Sequence, residues 1–173
     1  SYYYDLKGPS MTLDTACSSS LVAVNLACKS IWSGESVAAF AGGVNLLINP
    51  LSSVMMAKGR FLSPDSRCKA FDESGNGYVR SEGVGVVYLK PLDKAIEDGN
   101  PIYALIKGTS WNSDGYTADG FTVPDVSSQA NLLKRAYSQA GVNPDHIQYI
   151  EAHGTGTVVG LSLIHISEPT RPF

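Results

Sequence analysis

The chain has 173 residues, 43% of them hydrophobic and 17% charged, which is enough apolar material for a globular core. A net charge of −3 with no long basic run argues against a nucleic-acid or anionic-membrane partner, and no apolar stretch approaches the roughly 20 residues that span a bilayer. Three cysteines, an odd and sparse count, suit free thiols in a reducing cytoplasm, and the opening Ser1-Tyr2-Tyr3-Tyr4-Asp5 lacks a signal-peptide pattern.

In chain order, Gly8-Pro9 opens a short predicted strand over residues 8–14. A helix is predicted over 17–32. Its apolar residues lie all round the wheel, which predicts a buried helix rather than a surface one. Ser18, Ser19 and Ser20 suit its first turn, and Gly34 suits its stop. Val37 to Ile48 reads as a strand rich in small residues and ended by Asn49-Pro50. A short helix over 51–58 follows, then a loop from Arg60 to Asn76 marked by Ser63-Pro64-Asp65 and Ser74-Gly75-Asn76-Gly77. Gly83–Leu89 reads as a second apolar strand, Leu92–Glu97 as a helical turn, and Ile102–Ile106, with a possible run to Trp111, as a third strand. Residues 127–140 form an amphipathic helix with Ala130, Leu133, Ala136, Tyr137 and Ala140 on one face, stopped by Gly141 and Pro144. Ile147–Ile150 is a last predicted strand that delivers His153. Alternating helices and continuous apolar strands predict a layered α/β fold with a covered sheet.

Two runs carry chemistry. Cys17 lies in Asp14-Thr15-Ala16-Cys17-Ser18-Ser19-Ser20-Leu21, at the start of the first long helix. Unpaired N–H groups at a helix start favour a thiolate and can stabilise an oxyanion. His153 lies in Glu151-Ala152-His153-Gly154-Thr155-Gly156-Thr157. Glycines there let the backbone approach a ligand, and the hydroxyls of Thr155 and Thr157 can bond an extended amide-bearing one. A lone cysteine in an apolar helix is usually a packing residue, and a lone histidine usually a solvated or hydrogen-bonded one; the two contexts together favour the catalytic reading. Cys28 and Cys68 read as small structural thiols, and Phe71-Asp72 and Arg80-Glu82 as scaffold.

These runs resemble those of the β-ketoacyl synthase family, specifically the ketosynthase domains of polyketide synthases. The resemblance covers about residues 1–160 and includes Leu6-Lys7-Gly8-Pro9-Ser10, Ala41-Gly42-Gly43-Val44-Asn45, Cys68-Lys69-Ala70-Phe71-Asp72, Gly77-Tyr78-Val79-Arg80-Ser81-Glu82-Gly83 and Trp111-Asn112-Ser113-Asp114-Gly115. It implies a thiolase-like layered αβαβα fold, incomplete here, with the end of the first half and the start of the second. It implies that Cys17 accepts an acyl chain and that His153 helps decarboxylate a malonyl-type thioester. Thr155 and Thr157 would contact the phosphopantetheine arm of an acyl carrier protein, and no metal or directly bound cofactor is implied. It further implies a homodimer with residues 10–14 at the interface.

The pattern breaks after Gly160. The family continues with a Gly-Asp-Pro turn, then a second histidine and a lysine; here Leu161-Ser162-Leu163 follows, and His165 lacks a glycine-asparagine context. The expectation is that residues 161–173 are a non-family, artefactual tail and that the 173 residues alone do not condense thioesters. A non-decarboxylating thiolase, a fatty acid synthase ketosynthase and a non-extending ketosynthase-like domain are the alternatives within the fold. A dinucleotide-binding loop is disfavoured, because Gly154, Gly156 and Gly160 give G-x-G-x-x-x-G with no helix pattern behind it.

Overall fold

Small side chains along one strand decide how the first part of the chain packs. The computed structural model describes residues 1–118, 120 and 123–157. They divide into two units, Ser1–Asn45 with Gly83–Trp111, and Leu46–Glu82 with the described residues from Asn112 onward.

In the first unit, helix α1 (Ser19–Trp32) packs on strand β1 (Ala39–Asn45), which pairs antiparallel with β2 (Gly83–Leu89). Ala39, Ala41 and Gly43 alternate on the helix side of β1, and Ala41 is buried. A Cβ at Gly43 would stand 2.9 Å from the Ser20 Cβ, so the helix start sits where only glycine fits without a shift. The opposite face carries Phe40, Val44, Val84, Val86 and Tyr88, all exposed, with the Phe40 and Tyr88 rings 5.0 Å apart. Helix α3 (Leu92–Glu97) follows β2, with Ala95 buried.

The composition of helix α1 predicts burial all round, but the structure buries one line of it. Val22, Asn25 and Cys28 form its buried line, whereas Leu21 is 74% and Trp32 55% exposed. The buried line includes a polar residue. Asn25 donates its Nδ2 to Thr109 Oγ1 at 2.8 Å, tying α1 to the extended segment 102–111. Lys29 also lies over the Trp111 ring, 5.3 Å from its centroid.

The second unit holds α2 (Leu51–Lys58) and α4 (Val126–Ala140). A parallel bridge, Leu62 to Tyr78, closes the loop between them in sequence. Asp125 caps α4 by accepting the Ser128 N–H at 2.6 Å, and Gly141 ends it at φ 60. The predicted face Ala130, Leu133, Ala136, Tyr137 and Ala140 is half-buried throughout.

Three predicted strands, 8–14, 102–106 and 147–150, belong to no sheet among the described residues. A strand exists by pairing, and local pattern reports propensity alone. The sheet of the described residues is therefore two-stranded and open on one face, not covered on both. No helix among these residues is long and apolar enough to cross a membrane.

Candidate active site

Asp14 starts the turn that presents Cys17. Its Oδ1 accepts the Ala16 N–H at 2.8 Å, and Ser19 Oγ accepts the Thr15 N–H at 2.9 Å. The backbone is thereby held in a left-handed conformation at Ala16, φ 56, which a side chain disfavours. A single 3-10 turn, Ala16–Ser18, then feeds α1. Cys17 sits in that turn, exposed and free. The serines do not cap the helix as their position predicts. Ser18, the N-cap residue, makes no side-chain cap bond. Instead Ser18 Oγ donates to the Thr15 carbonyl at 3.0 Å and Ser19 Oγ to the Ala16 carbonyl at 2.7 Å. The hydroxyls thus lock the turn and leave the first amides of α1 without those caps. Cys28 offers the contrast: it is buried, and burial pushes its thiol above the ordinary value.

The histidine run belongs to the second unit. Tyr149 O–H donates to the Glu151 carboxylate, which raises the tyrosine above its ordinary value. His153 is exposed two residues further along the extended segment. Gly154 and Gly156 follow at φ 56 and 69, and the Thr155 and Thr157 hydroxyls meet at 3.0 Å. The structure therefore brings Thr155 and Thr157 together beside His153 in sequence, while Cys17 stands in the other unit.

Three residues outside the chemistry matter more than their motifs suggest. Asn112 donates its Nδ2 to the Ser128 carbonyl at 2.8 Å, and Asp114 Oδ2 accepts the Asp125 N–H at 3.1 Å. The Asn-Ser-Asp run thus secures the start of α4. Arg80 donates to the Ser52 and Ser53 hydroxyls at 2.6 and 3.0 Å, joining the loop to α2, so it is scaffold as read. Neither role has a sequence signature, since each depends on a partner distant in the chain. His165 and the tail 161–173 lie outside the described residues.

Comparison with known proteins identifies the family. Residues 1–95 match the N-terminal domain and 103–161 the C-terminal domain of β-ketoacyl synthase. Polyketide synthase PksL of Bacillus subtilis (strain 168) is 53% identical over 160 residues, 92% of this chain and 4% of that protein. The partially reducing polyketide synthase tpeA of Talaromyces stipitatus is 51% identical over 160 residues, 92% of this chain and 6% of that protein. The oxazolomycin ketosynthase domain OzmH KS7 of Streptomyces albus JA3453 superposes with a TM-score of 0.92 at 44% identity, covering 96% of this chain and 28% of that one. The ketosynthase from module 6 of the bacillaene synthase of Bacillus subtilis 168 gives a TM-score of 0.92 at 43% identity, covering 96% and 30%. The fold is thiolase-like, and the chain spans under a third of these solved ketosynthases and a small fraction of the curated synthases. The chain belongs to the β-ketoacyl synthase family, as a ketosynthase segment of the polyketide synthase type.

Proposed function

We propose that this segment carries the nucleophile and one histidine of an acyltransferase that condenses thioesters by decarboxylation. The observation that supports it is Cys17, exposed in a strained turn at the head of α1. The Cys17 thiolate attacks a carrier-bound acyl thioester, a new thioester forms, and the carrier thiol leaves. A malonyl-type carrier thioester then loses carbon dioxide. Its enolate carbon attacks the acyl–Cys17 carbonyl, and the Cys17 thiolate departs as the leaving group. His153 assists the decarboxylation and stabilises the enolate. Thr155 and Thr157, paired at 3.0 Å, hold the phosphopantetheine arm of the carrier protein.

The parent enzyme works in the cytoplasm as a homodimer, with residues 10–14 at the interface. Met11, 65% exposed in an extended segment without a sheet partner among the described residues, supports that assignment. The product class is a polyketide, in line with the synthases to which the chain is similar.

The test uses the complete ketosynthase that contains these residues. Cys17→Ala abolishes acylation, followed by intact mass. His153→Ala leaves acylation in place and lowers condensation by about 10²–10⁴-fold, the usual worth of one acid–base group. Undiminished acylation of the Cys17→Ala protein would overturn the reading.

A further inference from the structure

The loop that carries Thr155 and Thr157 does not hold its own shape. Gly156 lies so close to Cys68 that a Cβ on it would stand 1.8 Å from the Cys68 carbonyl oxygen and 3.0 Å from the Gly77 carbonyl oxygen. Gly77 donates its N–H to the Gly156 carbonyl at 3.2 Å. Gly77 is itself pressed on the chain behind it: a Cβ there would lie 2.5 Å from the Ser63 nitrogen. On the other side of the threonines, a Cβ at Gly154 would meet the Ala70 Cβ at 3.5 Å and the Phe71 ring at 3.9 Å. The glycines on both sides of Thr155 therefore rest on one loop, residues 68–77.

That loop is held in a conformation it would not adopt alone. Lys69 and Phe71 have φ of 29 and 64, and Ser66, two residues before the loop, has φ of 56, left-handed values for residues with side chains. Lys69 and Asp65 close its base at 2.7 Å. At the point of contact, the Cys68 thiol accepts the Val79 N–H at 3.2 Å, anchoring the residue whose carbonyl abuts Gly156.

We propose that Cys68 is a positioning residue: its thiol fixes the carbonyl against which Gly156 lies, and so sets where the Thr155 and Thr157 hydroxyls stand. The inference rests on the carrier-binding role given above to those threonines. A change at Cys68 shifts the hydroxyls relative to the arm they bind and leaves the Cys17 turn untouched, because no atom of residues 14–19 takes part.

The experiment compares Cys68→Ala and Cys68→Ser in the complete ketosynthase, with Cys17 acylation and condensation measured separately. The expected result for Cys68→Ala is acylation within about two-fold of the unmodified enzyme and a KM for the malonyl-type carrier thioester raised about ten-fold, with a smaller change in kcat. Cys68→Ser, whose hydroxyl also accepts the Val79 N–H, restores KM to within about two- to three-fold. If Cys68→Ala does not fold, Cys68→Val, apolar, somewhat larger and unable to accept the bond, carries the same comparison. An unchanged KM, or acylation and condensation falling together, overturns the proposal. Failure of the unmodified enzyme to acylate Cys17 instead overturns the catalytic reading and takes this inference with it.

Discussion

Ala16 concentrates the cost of presenting Cys17, the proposed nucleophile. A methyl group at φ 56 is tolerated there because Asp14, Ser18 and Ser19 bind the backbone on either side. A β-branched side chain in the left-handed region is a steric outlier. Ala16→Val is expected to destabilise the fold by about 1–3 kcal/mol and to slow Cys17 acylation. Thermal melting and acylation rates check it, and a rate unchanged in the variant would separate the turn from the chemistry. Asp65 makes a different prediction. Lys69, and then Ser63, hold its carboxyl at about 2, below the ordinary 3.8. A depressed value means the bond contributes fully above the ordinary value and is lost as pH falls toward the folded one. The melting-temperature gap between the unmodified protein and Lys69→Met should be constant above about pH 5 and close as pH falls to about 2. A gap that stays constant through that window would show that Asp65 is not the partner being titrated.

The elements divide by what local sequence can report. Helices α2 and α3 and strand β2 stand at the residues that periodicity and punctuation mark out, and α1, β1 and α4 come within a few residues. Their signals are internal: a stop at Gly141, a proline at 144, a run of apolar residues. The segments 8–14, 102–106 and 147–150 have strand composition, but strand identity lies in hydrogen bonds to another segment, and none pairs among the described residues. The site divides in the same way. Cys17, His153, Thr155 and Thr157, the proposed site residues, are picked out in the sequence by their side-chain chemistry. Cys68 is illegible because it acts through a main-chain carbonyl that every residue type possesses. Asp125 is a fair test of the local signals. It accepts both the Ser128 N–H and the Ser127 hydroxyl, and these bonds, with the hydroxyl the larger cause, hold its carboxyl below the ordinary value. Asp125→Ala should lower the thermal midpoint by removing the cap of α4. No loss would mean that Asn112 and Asp114 alone fix the start of α4.

At the scale of the molecule, the outer face of β1–β2 departs from an ordinary globular surface. Phe40, Val44, Val84, Val86 and Tyr88 lie together on it, each more than half exposed. Apolar faces of this kind bind hydrophobic dyes and associate. The 173-residue chain is expected to enhance the fluorescence of such a dye, and Val84→Thr with Val86→Thr, which keep β-propensity, should reduce it. Equal fluorescence from both proteins would place the exposed surface elsewhere.

The register of the sheet has an architectural consequence. Asn45 and Gly83 are directly opposite partners, so the last residue of β1 and the first of β2 stand side by side. Everything from Leu46 to Glu82 therefore leaves and re-enters through one doorway, about 5 Å wide as in any antiparallel pair. Such a segment is a cassette. Its length costs little, because the entropy of closing a loop grows only as the logarithm of its size. Evolution or an engineer can lengthen it, exchange it, or replace it by a two-residue Asn-Gly turn without asking β1 and β2 to change register. The helix that presents Cys17 packs on β1 and bonds Thr109, both outside the cassette, so the proposed nucleophile's platform would survive the exchange, while the loop on which Gly156 rests would go with the cassette.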